Sequence, residues 1–269
     1  MNKYYDQKNK RLVVMGEVAT EDFWKKQWFK SDDFEKRVKS GANYGLIKKY
    51  TTRFLKPGAK VIDAGCGIGQ NVYGLNQWGY EAYGIDFVGD VVKKTREGFP
   101  NLKISTQDVI KLDFSDSFFD GYWSLGVIEH FKDGYSDIMK EVRRVIKDDG
   151  YLLLTVPWFS PLRRLKAWFG LYPKIDKNTD TAHFYEFILD SKQLIKTIEG
   201  EGFKLVSGHP HDAVKGLKDE IPFFRPILQK IYDSHGIFAK VLRGITTFIF
   251  APFAGHIILL IFKKNENNI

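Results

Sequence analysis

The stretch Val61 to Gly69, VIDAGCGIG, constrains the fold more than any other part of the 269-residue chain. An apolar run ends on Asp63 and breaks into three alternating glycines, Gly65, Gly67 and Gly69. A buried strand running into a tight turn that opens a helix has this pattern, and the glycines let backbone come close to a ligand with no Cβ in the way. A dinucleotide fingerprint reads G-x-G-x-x-G and would put its third glycine where Gln70 stands. Asp63, two residues before the first glycine, would also repel a pyrophosphate.

Around that turn the chain alternates strand and helix for about a hundred residues after Pro57-Gly58. Expected strands are Lys60 to Asp63, Glu81 to Asp86, Leu102 to Thr106, Phe119 to Ser124 and Tyr151 to Val156. The helices between them start near Gln70, Val91 and Tyr135. The third is the clearest, with Tyr135, Ile138, Met139, Val142, Val145 and Ile146 at helical spacing, and Asp148-Asp149-Gly150 is expected to end it. A further helix from Ser191 to Glu201, a strand from Phe203 to Ser207 and a last strand from His256 to Phe262 complete the pattern. The fold class is α/β, a doubly wound sheet with helices on both faces. Ligands of such sheets bind at the carboxyl ends of the strands, where Asp63, Asp86, Asp108 and Ser124 to Gly126 all fall.

The rest of the chain departs from this regularity. Residues 1 to 20 are polar and basic and are expected to be poorly ordered at the start. Glu21 to Lys49 reads as helical, with a break at Ser40 to Asn43, so that residues 1–56 form an N-terminal helical cap on a domain of residues 57–269. The net charge is +8, and two segments account for it. Between Trp158 and Lys177 five basic residues face one acid, and between Ala213 and Ile269 eight face four. Both segments are dense in large apolar residues and read as insertions, at about 158–185 and 213–255. The pairing suits an anionic membrane surface, an amphiphilic substrate or a homodimer contact, and no compact basic run points to nucleic acid. Ile245 to Phe262 is eighteen residues without formal charge. Pro252 and Gly255 interrupt it, so it reads as a hydrophobic arm ending in the last strand rather than a membrane span. Cys66 is the only cysteine, which excludes an intrachain disulfide and leaves no pair for a metal. Leu12 to Met15 is too short for a secretory signal, and the expected location is cytoplasmic, peripheral on the inner face of the membrane.

The glycine motif with Asp63, Asp86 and the later motifs in order resembles the class I S-adenosylmethionine (SAM) methyltransferases, over roughly Lys60 to Ser207 plus the final strand. The resemblance implies SAM as cofactor and a seven-stranded sheet whose last strand is antiparallel. It implies that Asp63, Gly65, Cys66, Gly67 and Gly69 wrap the methionine part of the cofactor, that Asp86 with Phe87 takes the ribose, and that Asp108 and Val109 take the adenine. Leu125 and Gly126 would line the methionine moiety. An acid that sits beside a sulfonium and an amino group is favourably placed. In this family N-terminal helices such as the one carrying Trp24 and Trp28 lie over the pocket; the plain alternative is that these tryptophans are core.

Glu129-His130 is similar to the type 11/12-like branch that includes the ubiquinone-biosynthesis O-methyltransferases. Histidine titrates near neutrality and could take a proton from a hydroxyl, making His130 and Glu129 the catalytic candidates, with no metal assigned. His183 and Tyr185, in a loosely patterned stretch of the same branch, and Trp158 are the substrate-binding candidates. The leading expectation is a SAM-dependent methyltransferase acting at oxygen on a small-molecule or lipid-linked acceptor by direct displacement. A membrane-associated or partner-binding protein with little activity, and an RNA methyltransferase, are the alternatives.

Overall fold

The computed structural model describes residues 1–30, 33–176, 179–234 and 236–265. The chain opens on β1 (Asn2–Asp6) and β2 (Arg11–Met15), which pair antiparallel. Helices α1 (Glu21–Trp28), α2 (Phe34–Ser40) and α3 (Gly45–Phe54) follow, with a short 3-10 turn at Gly41–Asn43 at the expected break. The alternating part runs β3 (Lys60–Ala64), α4 (Gln70–Gln77), β4 (Glu81–Asp86), α5 (Gly89–Gly98), β5 (Lys103–Thr106), β6 (Phe119–Leu125), α6 (Ser136–Val145) and β7 (Ile146–Pro157). Then come α7 (Pro161–Trp168), β8 (Phe184–Ile188), α8 (Ser191–Gly200) and β9 (Phe203–His211). Helices α9 (Ala213–Glu220), α10 (Arg225–Asp233) and α11 (Ile237–Ala254) precede β10 (Ile257–Lys264).

Seven strands form one mixed sheet in the order β5-β4-β3-β6-β7-β10-β9, with helices flanking it and the last strands antiparallel, as the alternation and the family resemblance predict. β3 pairs parallel with β4 on one side and with β6 on the other, which puts the glycine turn at the strand ends in the middle of the sheet. Its core strands are apolar and wholly buried, Val61, Ile62 and Ala64 among them, because helices cover both faces. A separate three-stranded sheet has the order β1-β2-β8.

The chain divides into two compact units. One, here the turn unit, comprises residues 18–154, 198–206 and 261–269; the other, the hairpin unit, comprises 1–17, 155–197 and 207–260.

Three expectations need correction. Residues 2–15 are ordered strands, and helix begins only at Glu21. The reason is the buried run Leu12 to Met15, which pairs with Phe184–Ile188 while the Arg11 guanidinium lies 3.6 Å above the Phe187 ring. The stretch 158–185 is not wholly an irregular insertion, since its end supplies the first residues of that partner strand. Asp148-Asp149-Gly150 does not end a helix. α6 stops at Val145, and the three residues lie inside β7, where Asp149 adopts φ of 65°. The apolar run Ile245 to Phe262 divides at Gly255 into α11 and β10, an arm ending in the last strand as expected, with the helix beginning eight residues before the run.

Candidate active site

In the turn unit, the glycine turn follows β3 directly. Gly65, Gly67 and Gly69 all have positive φ, and the two first glycines are also required by close neighbours. A Cβ on Gly67 would stand 2.3 Å from the Trp28 ring, and one on Gly65 would stand 2.6 Å from Val127 Cγ2. The turn is therefore clamped between α1 and the loop after β6. Its amides are used inside the protein. Gly65 and Cys66 each donate to the Ile85 carbonyl at 2.8 Å, Gly69 donates to the Cys66 carbonyl at 2.9 Å, and Gly67 donates to Asp86 Oδ2 at 2.7 Å. A phosphate cradle works by aiming free amides at an anion. These four are not available for that.

What the turn does bring together is carboxylates. Asp63 is completely buried; its Oδ2 accepts from Asn71 Nδ2 at 3.1 Å, and Oδ1 has no hydrogen-bond partner among the described residues. Burial, with a smaller push from Asp86 and against the Asn71 hydrogen bond, raises its carboxyl to about 7. Asp86 is also buried and is raised by burial, while the Val88 and Gly67 amides act in the opposite direction. An orphaned buried carboxylate oxygen and a second raised carboxyl suit a ligand that offers positive charge and hydrogen-bond donors.

Other strand ends contribute around the same turn. Phe87 is half-exposed directly after Asp86. Asp108 is exposed, with Oδ1 accepting from the Ile110 amide at 3.0 Å, and Val109 beside it is buried. Gly126 after Leu125 takes a left-handed φ of 69°. Ile128–His130 is a single 3-10 turn in which Glu129 is buried and its carboxylate folds back toward Gly126. The His130 ring meets the Trp24 ring edge to face at 5.2 Å.

A family model described as a methyltransferase domain matches residues 62–154. A protein of Encephalitozoon cuniculi described as a methyltransferase is 30% identical over 174 residues, which take in 61% of this chain and 79% of that one. The chain belongs to the methyltransferase family. SAM is the cofactor that family indicates, and the carboxylate-lined turn fits a donor that carries a sulfonium and an ammonium group. The 2-methyl-6-phytyl-1,4-hydroquinone methyltransferase of Synechocystis is 35% identical over 104 residues, 37% of this chain, and the match spans 32% of that enzyme's length. Among solved structures, the 1,6-didemethyltoxoflavin-N1-methyltransferase of Burkholderia thailandensis, crystallised with S-adenosylhomocysteine, superimposes with a TM-score of 0.56. The superposition covers 99% of this chain and 100% of that one at 13% identity, a likeness of fold.

The methyltransferase adds two residues that reasoning from motifs left undecided. Trp24 and Trp28 face the site: the first lies against His130 and the second on Gly67. Thr20 caps their helix by accepting from the Phe23 amide at 3.2 Å, and Lys25 pairs with Asp90 at the start of α5. The legible signal was an aromatic-rich helix before a glycine motif, which cannot say on what the rings rest.

Cys66, within the glycine turn, points its side chain into the protein. Its side chain is buried, with Sγ 2.9 Å from where a Cβ on Gly84 would stand, and burial first, then Asp63 and Asp86, push its thiol well up. It packs the turn and is unreactive. The three substrate-binding candidates belong to the hairpin unit and are engaged there. Trp158 is buried, its indole Nε1 donating to Ser191 Oγ at 3.1 Å, because it ends a strand whose both faces are covered. His183 is exposed and its carbonyl accepts from the Gly16 amide at 2.8 Å. Tyr185 packs on the cluster of Leu12, Val14, Phe159, Tyr172 and Ile188.

Proposed function

We propose that the methyltransferase transfers a methyl group to an oxygen of a lipid-soluble small molecule of the hydroquinone kind. The observation that carries the cofactor half is the turn itself, whose amides are occupied while two buried carboxyls stand at its base. The acceptor half is supported by the relative from Synechocystis, whose name specifies a phytyl-substituted hydroquinone.

Bound SAM supplies a methyl group on a sulfonium, open to direct displacement. Asp86 accepts hydrogen bonds from the ribose hydroxyls, with lone pairs to spare beyond those used by Gly67 and Val88. Asp108 and Val109 would hold the adenine, Phe87 would lie beside the ribose next to Asp86, and Leu125, Gly126 and the orphan oxygen of Asp63 would receive the methionine end. His130 takes the proton of the acceptor hydroxyl, and Glu129, folded under Gly126, fixes the short turn that carries it. Trp24 limits water at His130 and holds the ring in one orientation, which matters because in-line placement supplies most of the acceleration in such a displacement.

The test uses SAM labelled in its methyl group, incubated with the protein and a whole-cell extract, then separated into lipid, aqueous and RNA fractions. Label should appear in the lipid fraction and in an alkali-stable form expected of an ether. Label confined to RNA or to water-soluble products would refute the acceptor assignment. His130→Ala is expected to lower kcat by about 10²-fold with unchanged affinity for S-adenosylhomocysteine. A full rate would remove the base role.

A further inference from the structure

Helix α11 faces water with the side that a helix ordinarily buries. Ile237, Phe238, Val241, Ile245, Phe248 and Ile249 fall within an arc of about 120° at 100° per residue and are between 51% and 87% exposed. The residues turned inward are small: Ala239, Ala251 and Ala254 are buried. α11 packs on α7, α9 and α10, so the unit's interior takes the alanine side and leaves the phenylalanines outside. Only 17% of the helix is buried, which excludes the reading of an ordinary core helix. Its neighbours add to the pattern. Phe223 is 83% exposed just before α10, and Trp168 is 77% exposed at the end of α7, with Phe169 and Leu171 exposed after it.

The charge around this face is predominantly positive. From Arg225 to Ala254 there are four basic residues, Arg225, Lys230, Lys240 and Arg243, against Asp233, and α11 itself has no acid. A cleft of about 440 Å³ in the same unit is lined by Lys10, Arg164, Lys174 and the exposed Trp168. Its one carboxylate, Asp190, is held by Arg164 at 2.9 Å. An apolar stripe with aromatic rings and a basic flank complements an anionic headgroup layer over hydrocarbon. A second copy of this chain docked face to face would set two positive flanks against each other.

We infer that the exposed face of α11 seats the hairpin unit on a membrane containing anionic lipid, lying in the interface. Eighteen residues reach about 27 Å, close to a span by length alone. Both ends are nevertheless held by the same unit. The Arg243 guanidinium donates to the Ile231 and Ser234 carbonyls at the end of α10, and beyond Ala254 the His256 amide donates to the His211 carbonyl at 2.9 Å. A helix tied down at both ends lies along the surface. This surface is independent of which acceptor is methylated.

The experiment is flotation of the full chain with vesicles of phosphatidylcholine alone and of phosphatidylcholine with phosphatidylglycerol, at low and high salt. The protein should float with the anionic vesicles and lose binding as salt rises. Phe238→Ser with Phe248→Ser should lower partitioning at least about tenfold. Both side chains are more than 80% exposed, so S-adenosylhomocysteine affinity, which reports on the turn unit separately, should not change. Lys230→Glu with Lys240→Glu should lower binding to anionic vesicles without reducing the weak binding to neutral ones. Absence of flotation with either vesicle would overturn the inference. So would a stable dimer, seen by light scattering, that the double serine variant dissociates.

Discussion

Trp123 and Phe119 in the turn unit are completely buried, whereas in the hairpin unit Phe248 is 87% exposed and the largest fully buried side chain among the described residues is a guanidinium, that of Arg163. The turn unit hides its apolar residues in a covered parallel sheet and places carboxyls at the strand ends. The hairpin unit has a buried apolar cluster too, but it also displays the apolar face of α11 and hides a charge cluster. In that cluster Glu220 accepts from Arg163 Nε at 2.9 Å, from Lys166 Nζ at 2.7 Å, and from Lys3 Nζ and Tyr172 Oη. Burial would raise the Glu220 carboxyl, but Lys3 and Arg163 overcome it and hold it at about 2. The site of the turn unit depends instead on close packing beneath the turn.

The largest effect should come from removing the anchor of the hairpin unit. Glu220→Gln leaves Arg163 buried opposite a neutral group and should lower unfolding free energy by about 3–5 kcal/mol in urea titrations. The wild-type contribution is fully present above the ordinary glutamate pKa. Because the folded carboxyl titrates lower, the contribution is lost as pH falls toward about 2. If Glu220→Gln unfolds at the same urea concentration as wild type, the contrast between the units fails.

Next is Gly67→Ala in the turn unit. The added Cβ meets the Trp28 ring in a left-handed backbone conformation, and the expected costs are about 2–3 kcal/mol of stability and at least about tenfold in S-adenosylhomocysteine affinity. Trp28→Ala combined with Gly67→Ala should recover part of the stability, since the clash is with that ring.

Asp63→Asn should act in the opposite direction. Its folded carboxyl is raised to about 7, so the folded state binds the proton that the unfolded chain gives up near pH 4, and stability declines between those values. The asparagine variant should therefore melt higher than wild type at pH 8, by on the order of 2 kcal/mol, and alike at pH 4, while binding SAM less tightly. The smallest change in stability belongs to Phe248→Ser, expected within about 0.5 kcal/mol because the ring touches little of the protein. Loss of more than that would mean the face is structural.

Much of the turn unit was legible from sequence because its determinants are local. Three glycines in nine residues, acids at strand ends and a helical period in Ile138 to Val145 all act over a few residues. The contacts that complete the site are not local. Trp28 and Gly67 are far apart in sequence, and no periodicity tells on which backbone an indole will rest. An aromatic residue such as Trp158 at a strand end reads alike whether it lines a pocket or packs inside, and its burial and its bond to Ser191 could not be read from sequence. Residues 2–15 were misjudged because the strand that covers Leu12 to Met15 lies at Phe184, beyond the reach of any window. The division of the apolar run Ile245 to Phe262 at Gly255 was legible, because a glycine breaks the helix locally, whereas the helical start at Ile237 lies outside the run.

The most direct test of the account is calorimetric titration with S-adenosylhomocysteine of the wild-type protein, Asp86→Ala and the Phe238→Ser with Phe248→Ser variant, at one pH and salt. Asp86→Ala should bind at least about tenfold more weakly, from the loss of charge-assisted hydrogen bonds, and the double serine variant should bind as wild type does. Undiminished binding by Asp86→Ala would contradict the assignment of the cofactor to the glycine turn.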